Sequence, residues 1–250
     1  RNILDNADIV ITNSKFTSNE FLDYGIPRKK IIEIIPAVDY GIFKPLPKCS
    51  DLVDKLKIKG RKTILTISRL AERKGHDIVL KALPLVLKSI PNLSYLIVGE
   101  GPYRTHLMEL CRELKLDSVV TFIGFAYDEE LVMYYNLCDV FVMPNREIFN
   151  STDSVEGFGI TFIEANACNK PVIGGRSGGA IEAVKDGVTG FLVDPQNENE
   201  VAEKIIFLLQ DEELARKMGK DGRKRVEKDF SWENRANELA EQLTKEALKV

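Results

Sequence analysis

Short apolar, β-branched runs alternate with longer stretches of helical period along most of this chain, and that alternation constrains the fold more than any other feature. The runs are "DIVIT" (8–12), "IIEII" (31–35), "KTILTIS" (62–68), "SYLIV" (94–98), "VVTFI" (119–123), "DVFVM" (139–143), "KPVIG" (170–174) and "GFLV" (190–193). They are apolar on both faces, as buried parallel strands are. Between them the pattern predicts helices at 76–90, 103–116, 128–137, 159–168 and 179–186. A β-α-β-α order with right-handed crossovers predicts an α/β protein built on a doubly wound parallel sheet. With 250 residues, 44% of them hydrophobic, the chain can bury one large core or two small ones.

Two regions break the rhythm. Residues 36–60 carry three prolines and a basic tail, which predicts a linker ahead of the main domain. After Asp194 the chain is predicted to run helix after helix, with Ser231 placed to cap the last one and Asn234 where a Glu is usual. The opening "RNILDNADIV" has no methionine and enters a helix-to-strand step, so a piece of a longer protein is expected.

Composition narrows the function. A net charge of −3, with basic and acidic residues interleaved, leaves no nucleic-acid footprint. No apolar run reaches the ~20 residues of a spanning helix, and no signal-peptide pattern is visible. Cys49, Cys111, Cys138 and Cys168 fit neither a zinc ribbon nor a redox pair and are expected to be free structural thiols in a reducing compartment. No metal-ligand or Ser-His-Asp constellation emerges. His76 opens a helix, where a cap or ligand-edge role competes with catalysis, and His106 is expected to face solvent.

In an open parallel sheet, ligands bind beyond the carboxyl ends of the strands. After the strand at 62–68, "ISRLAERKGHD" places Arg69 and Lys74 on one loop. Together they can clamp a diphosphate, the arginine by its planar fork and the lysine as a point charge. A solvated basic loop, with Arg73 beside them and Glu72 as a partner, is the alternative. After the strand at 94–98, Gly99 and Gly101 let a backbone approach a ring or phosphate closely, or make a tight connection. The loop "IGGRSGGAIEAV" (173–184) either lines the same site or turns tightly at Gly178 and Gly179.

The strongest segment is "SVEGFGITFIEANA" (154–167). The turn Gly157-Phe158-Gly159 opens a helix, and N–H groups near Gly159, Ile160 and Thr161 can face an anion. Glu164 lies about a turn and a half into that helix, where a carboxylate accepts bonds from ribose hydroxyls. Glu156 precedes the turn and can reach a sugar at the other end of the ligand. Alternatively, Glu156 caps the helix and Glu164 is a surface residue.

Eight segments in order, from "NADIVITNSKFTSNEF" through "KIIEIIPAVDYGIFKP", "ISRLAERKGHD", "LIVGEGP", "VTFIGFAYDEELVMYYNLCDVFVMP", "VEGFGITFIEANACNKPVI" and "GGAIEAVKDGVTGFLVDP" to "FSW", carry a family resemblance. The chain resembles the carboxyl-terminal half of the retaining glycosyltransferases of GT-B fold, family 4. That resemblance implies a Rossmann-like donor-binding domain at 46–230. Residues 1–45 become the end of an amino-terminal acceptor domain plus linker, and 231–250 a helix crossing back to that domain.

The resemblance further implies that Arg69 and Lys74 hold the donor diphosphate, Glu156 contacts the donor sugar and Glu164 takes the ribose. Backbone groups of Gly157, Phe158, Gly159, Ile160 and Thr161 meet sugar and phosphate, and the loop Gly124, Phe125, Ala126 meets the base. The implied donor is a UDP- or GDP-sugar, bound without a metal or other cofactor. The acceptor is a glycan, lipid or small molecule, and the location cytoplasmic, any membrane association being set by the amino-terminal half. Ser68 stands where the family often has glycine, and the segment Asn145 to Ser154 is longer than usual, as in a subset of mannosyltransferases. A non-catalytic nucleotide-binding module on the same fold is the alternative. An NAD-dependent dehydrogenase is disfavoured, because no complete G-x-G-x-x-G follows the first strand.

Overall fold

The computed structural model describes residues 4, 6–148 and 154–247. Its first unit is small: strand β1 (Val10–Thr12), helix α1 (Lys15–Asp23) and strand β2 (Ile31–Glu33) make a parallel pair in a sheet of their own. Ser14 caps α1 by accepting a 3.0 Å bond from the Thr17 amide. Val10, Ile26 and Ile31 form its core.

The main sheet has six strands: β3 (Lys62–Ile67), β4 (Leu93–Val98), β5 (Val120–Gly124), β6 (Val140–Met143), β7 (Val172–Gly175) and β8 (Gly190–Val193). All pairings are parallel, in the order β5-β4-β3-β6-β7-β8. From β3 the chain moves outward to β5 and then returns to lay β6 on the other side of β3. The order therefore reverses between β3 and β6, and the crevice beyond their carboxyl ends is the expected ligand position.

Side chains alternate between two cores. Ile64, Tyr95, Ile97, Val140 and Val142 face one, and Leu65, Leu96, Val98, Phe141 and Met143 face the other. Helices α3 (His76–Ser89), α4 (Arg104–Glu113) and α8 (Glu198–Gln210) cover the first. Helices α5 (Asp128–Leu137), α6 (Ile160–Ala167) and the end of α9 (Glu212–Asp229) cover the second. A last helix, α10 (Trp232–Ala247), follows Ser231, whose hydroxyl accepts from the Asn234 amide at 3.2 Å.

Two expectations are corrected. The linker at 36–60 contains a short helix, α2 (Ser50–Lys55), because Leu52, Val53 and Leu56 pack on the main core. The helix expected at 179–186 is only α7 (Ala180–Ala183), since Val184 turns extended at φ −101° and ψ 121°. All four cysteines are free, and three are buried.

Candidate functional site

Three strand-end loops are fastened together at the crevice. The loop after β3 ends in a single 3₁₀ turn, Glu72–Lys74, and Gly75 at φ 75°. An added Cβ on Gly75 would sit 2.1 Å from the Pro144 carbonyl oxygen, so only glycine lets the loops after β3 and β6 meet this closely. The Arg146 amide then donates to the Arg73 carbonyl at 2.7 Å. Asn145 ties in the loop after β7, accepting from the Gly175 amide at 3.2 Å and donating to the Ser177 carbonyl at 3.1 Å.

Glu156 projects into this junction and is 9% exposed. Its Oε2 accepts from Arg73 Nη1 at 3.0 Å and from Lys74 Nζ, and Lys74 is itself 8% exposed. The helix-cap role weighed for Glu156 is therefore replaced by an ion-pair role. Gly159, at φ 92°, stands at the cap position of α6, which has no side-chain cap bond. With no side-chain cap bond among the described residues, the first turn of α6 leaves backbone N–H groups for an anion. The turn is anchored by Phe162, whose ring packs edge-on to Phe141 at 5.7 Å.

The remaining candidates divide. Arg69 is exposed and lines a cleft of about 280 Å³ with Arg73, Tyr103 and Ile148, so it shares the loop with Lys74 without sharing its burial. Phe158 sends its side chain into the core against Phe230, 5.8 Å between ring centres, leaving only its backbone for the site. Ile160 is exposed at the helix start, and Thr161 is half-buried. Gly157 is overlaid by Asn13, whose Nδ2 lies 2.9 Å from where a Cβ would stand.

Glu164 is half-buried rather than on the surface and accepts a 2.6 Å bond from the Tyr135 hydroxyl. Burial raises its carboxyl above the ordinary value, Asp128 adds to the rise, and the Tyr135 bond opposes it. Tyr135 is fully buried and its hydroxyl holds its proton well above the ordinary value, chiefly through burial and then through Glu164.

Gly99, at φ 130°, faces the Ser68 carbonyl 2.0 Å from its missing Cβ, and its amide donates to Gly124 at 2.7 Å. This is the tight-connection role, as it is for Gly178 and Gly179, whose missing Cβ atoms abut the carbonyls of Glu156 and Gly157. Gly124 has φ 86°, Ala126 is buried, and Phe125 stands 69% exposed, edge-on to Tyr127 at 5.2 Å. His76 is fully buried, which removes the ligand-edge role; its Nε2 is 3.2 Å from Ser68 Oγ. Burial, then Lys74, then Arg146 push its pKa down to about 3, so the ring is neutral. His106 is exposed and stacks on Tyr103.

Sequence reasoning missed Arg73, Asn145, Arg146 and Tyr135. Arg73 was readable only as part of a basic loop. Arg146 could have been found by inspecting the end of the strand beside β3. Residues 149–153 of the long segment lie outside the described residues. Among the described residues no group of three or more His, Cys, Asp or Glu side chains could hold a metal ion, and no helix is long and apolar enough to cross a membrane.

A six-stranded parallel sheet with a polar junction at its reversal point is the architecture of the carboxyl-terminal domain of a GT-B glycosyltransferase. The chain belongs to the family described as glycosyl transferases group 1, whose model matches residues 50–225. It is 36% identical over 242 residues, 96% of its length, to a GDP-mannose-dependent alpha-(1-6)-phosphatidylinositol monomannoside mannosyltransferase of Mycobacterium tuberculosis. It spans 63% of that relative. Among solved structures, Anabaena HepE in complex with UDP and glucose superposes with a TM-score of 0.86 at 26% identity, over 96% of this chain and 64% of that one. The carboxyl-terminal domain of the group 1 protein LpcC from Francisella tularensis matches with a TM-score of 0.68 at 26% identity, over 78% of this chain and 99% of that one.

Proposed function

We propose that this chain is the donor-binding part of a retaining glycosyltransferase that moves a hexosyl unit, with mannose from GDP-mannose favoured over a UDP-sugar, to an acceptor hydroxyl. The observation that carries this is the convergence of Arg73 and Lys74 on Glu156 at the sheet's reversal point, next to the start of α6, where Gly159 holds the cap position. The relatives named for GDP-mannose support the base and sugar, while the complex of HepE with UDP keeps the UDP-sugar alternative.

Charge builds on the leaving diphosphate as the bond to the anomeric carbon breaks. Arg69, Lys74 and Arg73 with the N–H groups of Gly159 to Thr161 stabilise that charge in a partly dry crevice, where fixed donors count for more than in water. Glu156 orients the sugar, and the acceptor attacks the face the diphosphate leaves. Glu164, aimed by Tyr135, takes the ribose hydroxyls, and the loop at Gly124 to Ala126 takes the base. The step runs without a metal ion. In this scheme residues 1–45 close an acceptor domain and 231–250 return toward it. The acceptor is lipid-linked, as the name of the mycobacterial relative suggests, and the protein works in the cytoplasm, reaching the membrane through its amino-terminal half.

Titration calorimetry of the chain against GDP, UDP, ADP and NAD, with and without EDTA, tests the donor half of this. Micromolar binding of GDP or UDP, unchanged by EDTA, is the expected outcome. Tighter binding of NAD than of either diphosphate would overturn it.

A further inference from the structure

We propose that Arg146, held by Asp77, is a positioning residue for the segment that carries Arg73 and Lys74; this rests on the donor-site assignment above. Arg146 is 8% exposed and Asp77 5%. Arg146 Nη1 donates to Asp77 Oδ1 at 2.9 Å and Nη2 to Oδ2 at 3.1 Å, the two-pronged geometry that only a guanidinium supplies. Glu72 Oε1 takes a third bond at 3.3 Å. The fork therefore reaches carboxylates of residues 72 and 77, which bracket Arg73 and Lys74 in the chain.

The main chain repeats the same tie. The Arg146 amide donates to the Arg73 carbonyl, and Gly75 lies directly against the Pro144 carbonyl. Residues 72 to 77 are thus fastened at both ends to the loop after β6. Asp77 sits in the first turn of α3, where the helix dipole favours a carboxylate, so the anchor is itself stabilised in place. Burial works against the Arg146 charge, and the Asp77 bonds more than restore it, so the guanidinium stays charged.

The consequence is a division of labour among cations. Lys74 and Arg73 reach Glu156 in the crevice, whereas Arg146 fixes where they stand. A surface ion pair of ordinary kind has no such effect, because its partners reorient freely in water. Here both partners are desolvated and the pair links two strand-end loops on either side of the reversal point.

The test uses Arg146→Lys and Asp77→Asn in the 250-residue chain. Lysine keeps the charge but cannot bond both oxygens; asparagine keeps the shape and one acceptor. Calorimetry is run with GDP, inorganic pyrophosphate and guanosine, together with thermal melts and amide hydrogen exchange. In each variant a tenfold or greater loss for GDP and pyrophosphate is expected, with guanosine changed less than twofold. The double variant is expected to lose no more than the worse single one, since the two side chains act as a unit.

Equal losses for all three ligands, or unchanged GDP affinity in Arg146→Lys, would overturn the positioning role. Amide exchange decides the matter even without a ligand. Faster exchange at residues 73–75 and 146, with the rest of the sheet unchanged, is expected; unchanged exchange there overturns the proposal. If the unaltered chain binds neither GDP nor UDP, the donor-site assignment fails on its own, and the exchange result still judges Arg146.

Discussion

Arg73 Nη1 lies 3.0 Å from Glu156 Oε2, and Lys74 Nζ donates to that same oxygen, so one carboxylate holds two cations at the mouth of the sheet. A diphosphate arriving there competes with Glu156 for both. Glu156→Gln removes the competing charge from between the two cations. The expected result is tighter binding of nucleoside diphosphate, by roughly 1 kcal/mol, with a lower melting temperature, because breaking a buried pair by removing one partner is destabilising. Calorimetry and a thermal melt on the same sample check both signs; weaker binding in the variant would assign Glu156 to the diphosphate side of the site.

Removing a cation acts in the opposite direction. Lys74→Ala and Arg69→Ala are each expected to weaken nucleoside diphosphate binding by roughly 1.5 to 3 kcal/mol, the scale of a charge-assisted hydrogen bond. Arg69 is exposed, so its substitution leaves stability nearly unchanged, whereas Lys74 takes part in the buried pair and its loss is felt in the melt as well. Unchanged affinity in Arg69→Ala, measured by calorimetry, would leave the clamp to Arg73 and Lys74 alone.

The bond from Tyr135 to Glu164 gives a test confined to the nucleoside end. Glu164→Ala and Tyr135→Phe are both expected to weaken nucleoside diphosphate but not inorganic pyrophosphate, Tyr135→Phe by about 1 kcal/mol, the net worth of one hydrogen bond. Without the hydroxyl the Glu164 carboxyl rises further, since the bond favours its charged form. Equal losses for the two ligands would remove the ribose assignment.

These residues also show what the sequence could and could not disclose. The strands were legible because each is apolar on both faces, as β4 and β6 are wholly buried, and the alternation with helical segments left one sheet topology class. The helix at 180 was overestimated because Val184 continues the apolar period while its backbone has already turned extended. Glu156 and Lys74 stood out by type and by loop position. Their direct pairing did not, since loop contacts across a sheet leave no periodic trace. Arg146 and Asp77 were invisible for the same reason: they meet only because β6 returns to lie beside β3. Tyr135 looked like any core aromatic, and nothing local marks that its hydroxyl faces a carboxylate on the next helix.

His76 supplies a signature of the packed loop that needs no ligand. It is fully buried, hydrogen-bonded to Ser68, and its Nδ1 has no protein partner among the described residues. Burial, Lys74 and Arg146 hold its pKa at about 3 in the folded chain, against 6.5 for an unperturbed histidine. Between those values the unfolded chain takes up a proton and the folded chain does not, so acid favours unfolding. Stability attributable to this residue is present above about pH 6.5 and lost as the pH falls toward 3, at up to about 1.4 kcal/mol per unit. Glu164 titrates in the opposite sense, its raised carboxyl favouring the folded state as acid is added, so the two must be separated by substitution. His76→Gln keeps a polar group near Ser68 and removes the titration. Urea melts at pH 7, 5.5 and 4.5 are expected to show a shallower decline for the variant than for the unaltered chain. Parallel declines would mean that the ring is protonated within the folded loop despite its burial.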